Sequence, residues 1–248
     1  DRMMPFILTF LAGCSTLIGY LFIYLNNKSN KVLISSLAFA SGVMFLISVV
    51  DLIPSSFLNI STVYYAVPSF LMVSVCVVLG IVFSMLIDKY LPDNSYSDSG
   101  LYRVGMISML AIMFHNIPEG IATFLTSSHD IKLGITLATA LALHNIPEGI
   151  GVAIPIYYST NSKIKAFLYT LVSGMSEFLG AVFASIFLIN FNSDLFMGCL
   201  YAIIAGIMLQ ISIYELLPSS LKYKNYIRTF IYFVVGIVFM MISIALLH

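Results

Sequence analysis

The sequence predicts an all-α integral membrane protein of eight transmembrane helices, arranged as a 3+2+3 inverted-repeat bundle with both termini extracytoplasmic. Three observations predict it: an apolar composition, apolar runs of bilayer length, and two segments that recur in opposite directions. Of the 248 residues, 60% are hydrophobic and only 9% are charged, with a mean hydropathy of +1.02. A soluble domain carries about a quarter charged residues. A helix crosses the hydrocarbon core in roughly 20 apolar residues, and eight such runs fit the chain, at 5–25, 32–57, 64–87, 101–128, 131–158, 164–190, 195–218 and 227–247. The runs are continuous rather than alternating, which excludes a transmembrane β-barrel. Connectors are short, so a single transmembrane domain over 1–248 is expected rather than several.

Taken in order, the first run needs no cleaved signal peptide and can itself act as an uncleaved insertion signal. The second holds Ser41-Gly-Val-Met-Phe-Leu-Ile-Ser-Val-Val-Asp-Leu-Ile-Pro-Ser-Ser56, and the third carries Cys76. The fourth contains Phe114-His-Asn-Ile-Pro-Glu-Gly-Ile-Ala122, and the fifth repeats it as Leu143-His-Asn-Ile-Pro-Glu-Gly-Ile-Gly151. Glu177 lies in the sixth. The seventh holds Ala205-Gly-Ile-Met-Leu-Gln-Ile-Ser-Ile-Tyr-Glu-Leu-Leu-Pro-Ser-Ser220, a looser copy of the segment in the second. The eighth ends the chain. Cys14, Cys76 and Cys199 form no CxxC pair and read as small packing residues.

Basic residues set the orientation. Lys28, Lys31, Lys89, Arg103, Lys163, Lys165, Lys222, Lys224 and Arg228 flank one side, and only Arg2 and Lys132 the other. The positive-inside rule then puts both termini outside the cytoplasm. Tyr157, Tyr158, Tyr223 and Tyr226 sit near span ends and read as interface anchors. His129 and His248 fall in a loop and at the terminus, where surface positions are expected.

Spans 4 and 5 are joined by a short loop and so run antiparallel; spans 2 and 7 also differ in direction. Nested antiparallel copies imply an axis in the membrane plane. In secondary transporters built this way the substrate site lies at mid-depth, on proline- or glycine-interrupted helices. His115, His144 with Asn145, Glu177 and Met44 all fall near the centres of their spans.

The charges point to a cation. All four glutamates (Glu119, Glu148, Glu177 and Glu215) and Asp51 lie inside spans, with no basic side chain there to neutralise them. A carboxylate at membrane depth costs about 2.5–3.5 kcal/mol on insertion scales. Protons or metal ions can supply the missing charge. Residues three and four apart share a helix face, so His115 and Glu119 form one ligand pair, Asn116 and Glu119 an adjacent one. His144, Asn145 and Glu148 repeat the set from the facing helix. Pro118 and Pro147 remove a backbone donor and free the carbonyls of Phe114 and Leu143, while Gly120 and Gly149 permit close helix approach. Two imidazoles, two shared carboxylates and two amides can hold two metal ions, with Glu177 completing the asparagine-lined half.

Imidazole with carboxylate suits Zn²⁺, Fe²⁺, Mn²⁺ or Co²⁺ better than Mg²⁺ or Ca²⁺. Bland alternatives stand beside these readings. An isolated intramembrane histidine is more often an interhelical hydrogen-bond donor, but two identical copies at one depth are not isolated. Met44 is one of 13 methionines and reads on spacing alone as core filler more often than as a ligand. Asp51 and Glu215, seven residues beyond Met44 and Met208, read either as outer and inner pathway carboxylates or as helix-end groups near Pro54 and Pro218.

The paired HNIPEG segments, Ser-Gly-Met-Ser-Glu177 on span 6 and Gly42-Val-Met44 on span 2 together resemble the ZIP (Zrt/Irt-like) metal transporters, in particular the bacterial ZupT-type branch. The resemblance covers essentially the whole chain. It implies uptake of zinc, with iron, manganese, cobalt and cadmium as further substrates, across the cytoplasmic (inner) membrane by an elevator-type movement. It implies one ion on Met44, His115, Glu119, His144 and Glu148, and a second on Asn116, Glu119, Asn145, Glu148 and Glu177. A homodimer is expected by the same analogy. The chain departs from the family where Phe178 stands in place of a usual proline, where Asn145 stands for an acid found in some relatives, and around residues 88–99, which lack a histidine cluster. Metal enters as substrate, so no cofactor is expected, and nothing points to nucleic acid. An intramembrane enzyme is disfavoured because neither HExxH nor ExxH occurs. A proton-coupled carrier of another solute would not need paired histidine–carboxylate faces.

Overall fold

Continuous apolar runs leave the backbone no water to bond with, so each must satisfy its own amides as a helix. A computed structural model, describing residues 3–25, 29–90, 99–188 and 194–247, has this form, with no strand among the described residues. Among the described residues eight helices are long and apolar enough to cross a membrane: α1 (Met4–Tyr24), α2 (Asn30–Ser61), α3 (Ala66–Tyr90), α4 (Gly100–His129), α5 (Ile131–Thr160), α6 (Lys163–Phe187), α7 (Asp194–Leu221) and α8 (Tyr226–Ala245). Each predicted span is recovered within a few residues at its ends. Arg2, Lys28, residues 91–98 of the third loop and His248 lie outside the described residues.

Polar residues place the turns. Asp130 caps α5 by accepting hydrogen bonds from the amides of Lys132 (2.8 Å) and Leu133 (3.3 Å), so α4 reverses into α5 within a residue or two and His129 is left exposed. Asn161, in the left-handed region at φ 55°, ends α5, and Ser162 caps α6. The two HNIPEG segments are thereby laid side by side on antiparallel neighbours.

The helices sort into two groups. In one, α1 packs on α5 and α6, and α4 packs on α5 and α6; in the other, α8 packs on α2, α3 on α7, and α2 on α7. The groups meet chiefly where α2 lies on α5. In the apolar stretches of α3 and α8 only 22% is buried, against 67% in α4 and α5 and 72% in α2. Phe70, Val75, Phe230 and Ile231 are among the bulky side chains left exposed on these outer helices. In water such faces would be aggregation surfaces; against acyl chains they are at no disadvantage.

The similar segments of α2 and α7 share a local feature that their residues alone did not announce. Each passes from α-helix into a π-helical stretch, Ile47–Leu52 and Ile211–Leu216, before the α-helix resumes at the proline. Pro54 and Pro218 cannot donate to the preceding turn and their rings crowd it, and one extra residue in the turn relieves both problems. The helix then continues to Ser61 and Leu221. This corrects the reading of Asp51 and Glu215 as helix-end groups: both lie within widened turns inside their helices. Farther along, Ser56 donates to the Gly198 carbonyl (2.7 Å) and Ser220 to the Ile34 carbonyl (3.0 Å).

Candidate metal centre

The centre lies between α4 and α5, and α6 and α1 back it. Cβ atoms built on two glycines show how closely these helices approach. One on Gly120 would strike the Glu177 carbonyl oxygen of α6, and one on Gly149 the Thr16 carbonyl oxygen of α1. Only hydrogen fits at either place. The expectation that these two glycines admit a neighbouring helix therefore holds. Both helices run unbroken through Pro118 and Pro147.

Glu119 is the pivot. Its Oε1 lies 2.8 Å from Nε2 of His115 on its own helix and 2.8 Å from Nε2 of His144 across the interface. His115 Nε2 also stands 3.5 Å from Glu148 Oε1. Donor atoms of His115, Glu119 and His144 all fall within 4.8 Å of one another. All four side chains are buried, at 6% exposure or less. The His144–Glu119 contact is a hydrogen bond, but Glu119 Oε2, both Glu148 oxygens and both ring nitrogens of His115 make none among the described residues. Buried carboxylate and imidazole atoms are rarely left so, and convergent lone pairs on two nitrogens and several oxygens suit a divalent transition metal.

The asparagines flank this cluster. Asn116 donates through Nδ2 to the Ser173 carbonyl (3.0 Å), and Asn145 donates to the Ala12 carbonyl (3.0 Å) and to Glu177 Oε2 (2.9 Å). A carbonyl partner can only accept, so chemistry fixes which end of each amide is the nitrogen. The Oδ1 atoms of both amides, and Glu177 Oε1, make no hydrogen bond among the described residues. Each asparagine is thus held by its donor end with its acceptor free.

Met44 on α2 is 2% exposed, and its Cε would be 3.6 Å from a Cβ on Gly151, one turn beyond Glu148. Asp51 and Glu215 are half-buried and bonded locally instead. Ser55 donates to Asp51 Oδ1 (3.3 Å), and Gln210 donates to Glu215 Oε1 (3.4 Å). Sequence reasoning passed over Gln210. It is 4% exposed and accepts from Ser84 on α3 (2.8 Å); an amide in an apolar span, at the position of Leu46 in the related segment, was the available signal. It also missed that Cys76 and Cys199, far apart in the chain, pack into one apolar cluster where α3 meets α7.

Residues 92–244 match the family model described as ZIP Zinc transporter. Nearly the whole chain aligns with curated relatives. The chain belongs to the ZIP zinc transporter family. It is 36% identical to a protein named zinc transporter ZupT from Clostridium perfringens, over 98% of this chain and 96% of the relative. Against the protein of the same name from Streptococcus mutans the identity is 35%, over 97% and 96%. Against that of Escherichia fergusonii it is 39%, over 88% and 86%. As a ZIP member the chain is a transporter rather than an enzyme, and its eight apolar helices make it a multi-pass membrane protein.

Proposed function

We propose that this ZIP protein takes up zinc, and with it iron, manganese, cobalt and cadmium, across the cytoplasmic membrane through a two-ion centre at mid-depth. The observation that carries the reading is the buried, convergent and largely unbonded cluster of His115, Glu119, His144 and Glu148. One ion takes Met44, His115, Glu119, His144 and Glu148. The other takes the free oxygens of Asn116, Asn145 and Glu177 together with Glu119 and Glu148. Zinc is substrate in both positions, not a resident cofactor. The 3+2+3 inverted repeat accounts for the matched hydrogen bonds of Ser56 and Ser220, whose donors and acceptors are all displaced by 164 residues between α2 and α7. Asp51 serves the extracytoplasmic approach and Glu215 the cytoplasmic exit, given termini outside.

All proposed ligands except Met44 lie on α4–α6, within one helix group. An elevator-type step moves that group against α2, α3, α7 and α8, and Met44 stays behind on the opposite side. The whole chain works as one transmembrane unit, in a homodimer by analogy with the family. Purified protein in liposomes, tested with each of the five metals with and without a pH gradient, should show inward flux of Zn²⁺. If none of the five moves, the proposal fails.

A further inference from the structure

On the side where the basic residues gather, a cleft of about 470 Å³ opens between the two helix groups. Its mouth carries Lys31, at the start of α2, and Arg228, at the start of α8; its depths are lined by Phe39 of α2 and Ile150 of α5, and α1 closes the remaining side. At 1.5 Å per residue, the eight residues from Lys31 to Phe39 make the cleft about 12 Å deep. No acidic residue lines it among the described residues. Arg228 is held at the mouth: it donates to Ser35 Oγ (3.2 Å), and its guanidinium sits 5.9 Å from the Tyr232 ring centre. Neither cation has a carboxylate partner among the described residues.

We infer that this cleft binds an anionic phospholipid, its phosphate on Lys31 and Arg228 and an acyl chain lying inward against Phe39 and Ile150. Charge and depth select this occupant together. A soluble anion would use the rim and leave the apolar interior unfilled, and a zwitterionic lipid would bring its own cation to two fixed ones. Basic pockets between transmembrane helices take anionic headgroups for the same reason. The acyl chain would lie between the two groups, two residues along α5 from Glu148.

The test compares lipids retained by the full chain after detergent extraction, read by native mass spectrometry. Phosphatidylglycerol and phosphatidylcholine with the same acyl chains are offered together, and inorganic phosphate is offered as competitor. Each basic residue near an anionic headgroup contributes about fivefold, so with two of them the protein should retain phosphatidylglycerol about 25-fold over phosphatidylcholine. Lys31→Gln with Arg228→Gln should erase that preference. Arg228 bridges two helices and its loss can unfold the protein, so exposed Lys31→Gln alone should lower the preference about fivefold. Val235→Trp, which fills the cleft, should reduce retention of both lipids. Equal retention of the two lipids, an unchanged preference in Lys31→Gln, or displacement by millimolar inorganic phosphate would each overturn the inference. None of these readings depends on zinc flux, so the site stands or falls separately from the metal centre.

Discussion

The two HNIPEG segments are identical over six residues, but the helices behind them are not. Gly120 on α4 presses against the backbone of Glu177 on α6; Gly149 on α5 presses against the backbone of Thr16 on α1. Gly13 and Gly174 touch reciprocally where α1 crosses α6, and three residues on from each lie Thr16 and Glu177. One backing helix therefore offers a carboxylate where the other offers a hydroxyl. The consequence is visible in the amides. Asn145 spans a carbonyl of α1 and the carboxylate of α6, whereas among the described residues Asn116 reaches a carbonyl of α6 alone. Identical motifs thus hold their asparagines unequally, and that inequality comes from Glu177, a residue outside the motif.

The largest break in this comparison should come from the shared side. Removing groups one step behind a metal ligand costs about 10–100-fold in affinity, and a direct ligand costs more. His115→Ala and Glu119→Ala are each expected to abolish zinc flux in liposomes and to lower zinc affinity beyond that range by isothermal titration. Glu119 should be the worse loss, because its one oxygen lies at 2.8 Å from both imidazoles. Unchanged zinc affinity in both variants would sink the assigned centre.

A more selective change tests whether Glu177 makes the two sides unequal. Glu177→Gln keeps size and a hydrogen-bonding oxygen but removes the charge. Bound zinc should fall from two ions per chain to one, measured by elemental analysis of purified protein, while the ion on His115 and His144 stays. Two ions in that variant would mean that Glu177 contributes nothing its amide cannot.

How much of this was legible in the residues follows from physical range. The spans were legible because helix length is set by bilayer thickness, and the His–Glu pairs because four-residue spacing puts both on one face. Gly120 and Gly149 were legible as contact points, but which helix came to each was not, since α1 meeting α5 is a choice among long-range packings. The π-helical stretches were hidden for a different reason. They answer Pro54 and Pro218 by shifting the hydrogen-bond register, and a proline in the sequence equally fits a kink or a helix end. Likewise Cys76 and Cys199 read as separate packing residues until α3 lay on α7, and the cleft behind Lys31 needed four helices in place before it existed.

The smallest effect probes the other pair of helices, where the two halves are alike instead of different. Ser56 and Ser220 each donate one hydrogen bond across α2 and α7, to Gly198 and Ile34. Hydrogen bonds between transmembrane helices are worth about 0.6 kcal/mol on average. Ser56→Ala should therefore lower unfolding stability in detergent by about that much. Ser220→Ala should cost somewhat more, since its hydroxyl also meets Thr229 of α8 at 2.8 Å. Because the two serines are far apart in the helix pair and share no partner, the double variant should be additive. A strongly non-additive result would mean that α2 and α7 do not meet through two independent, matched contacts, and the likeness that sets this pair apart from α4 and α5 would be lost.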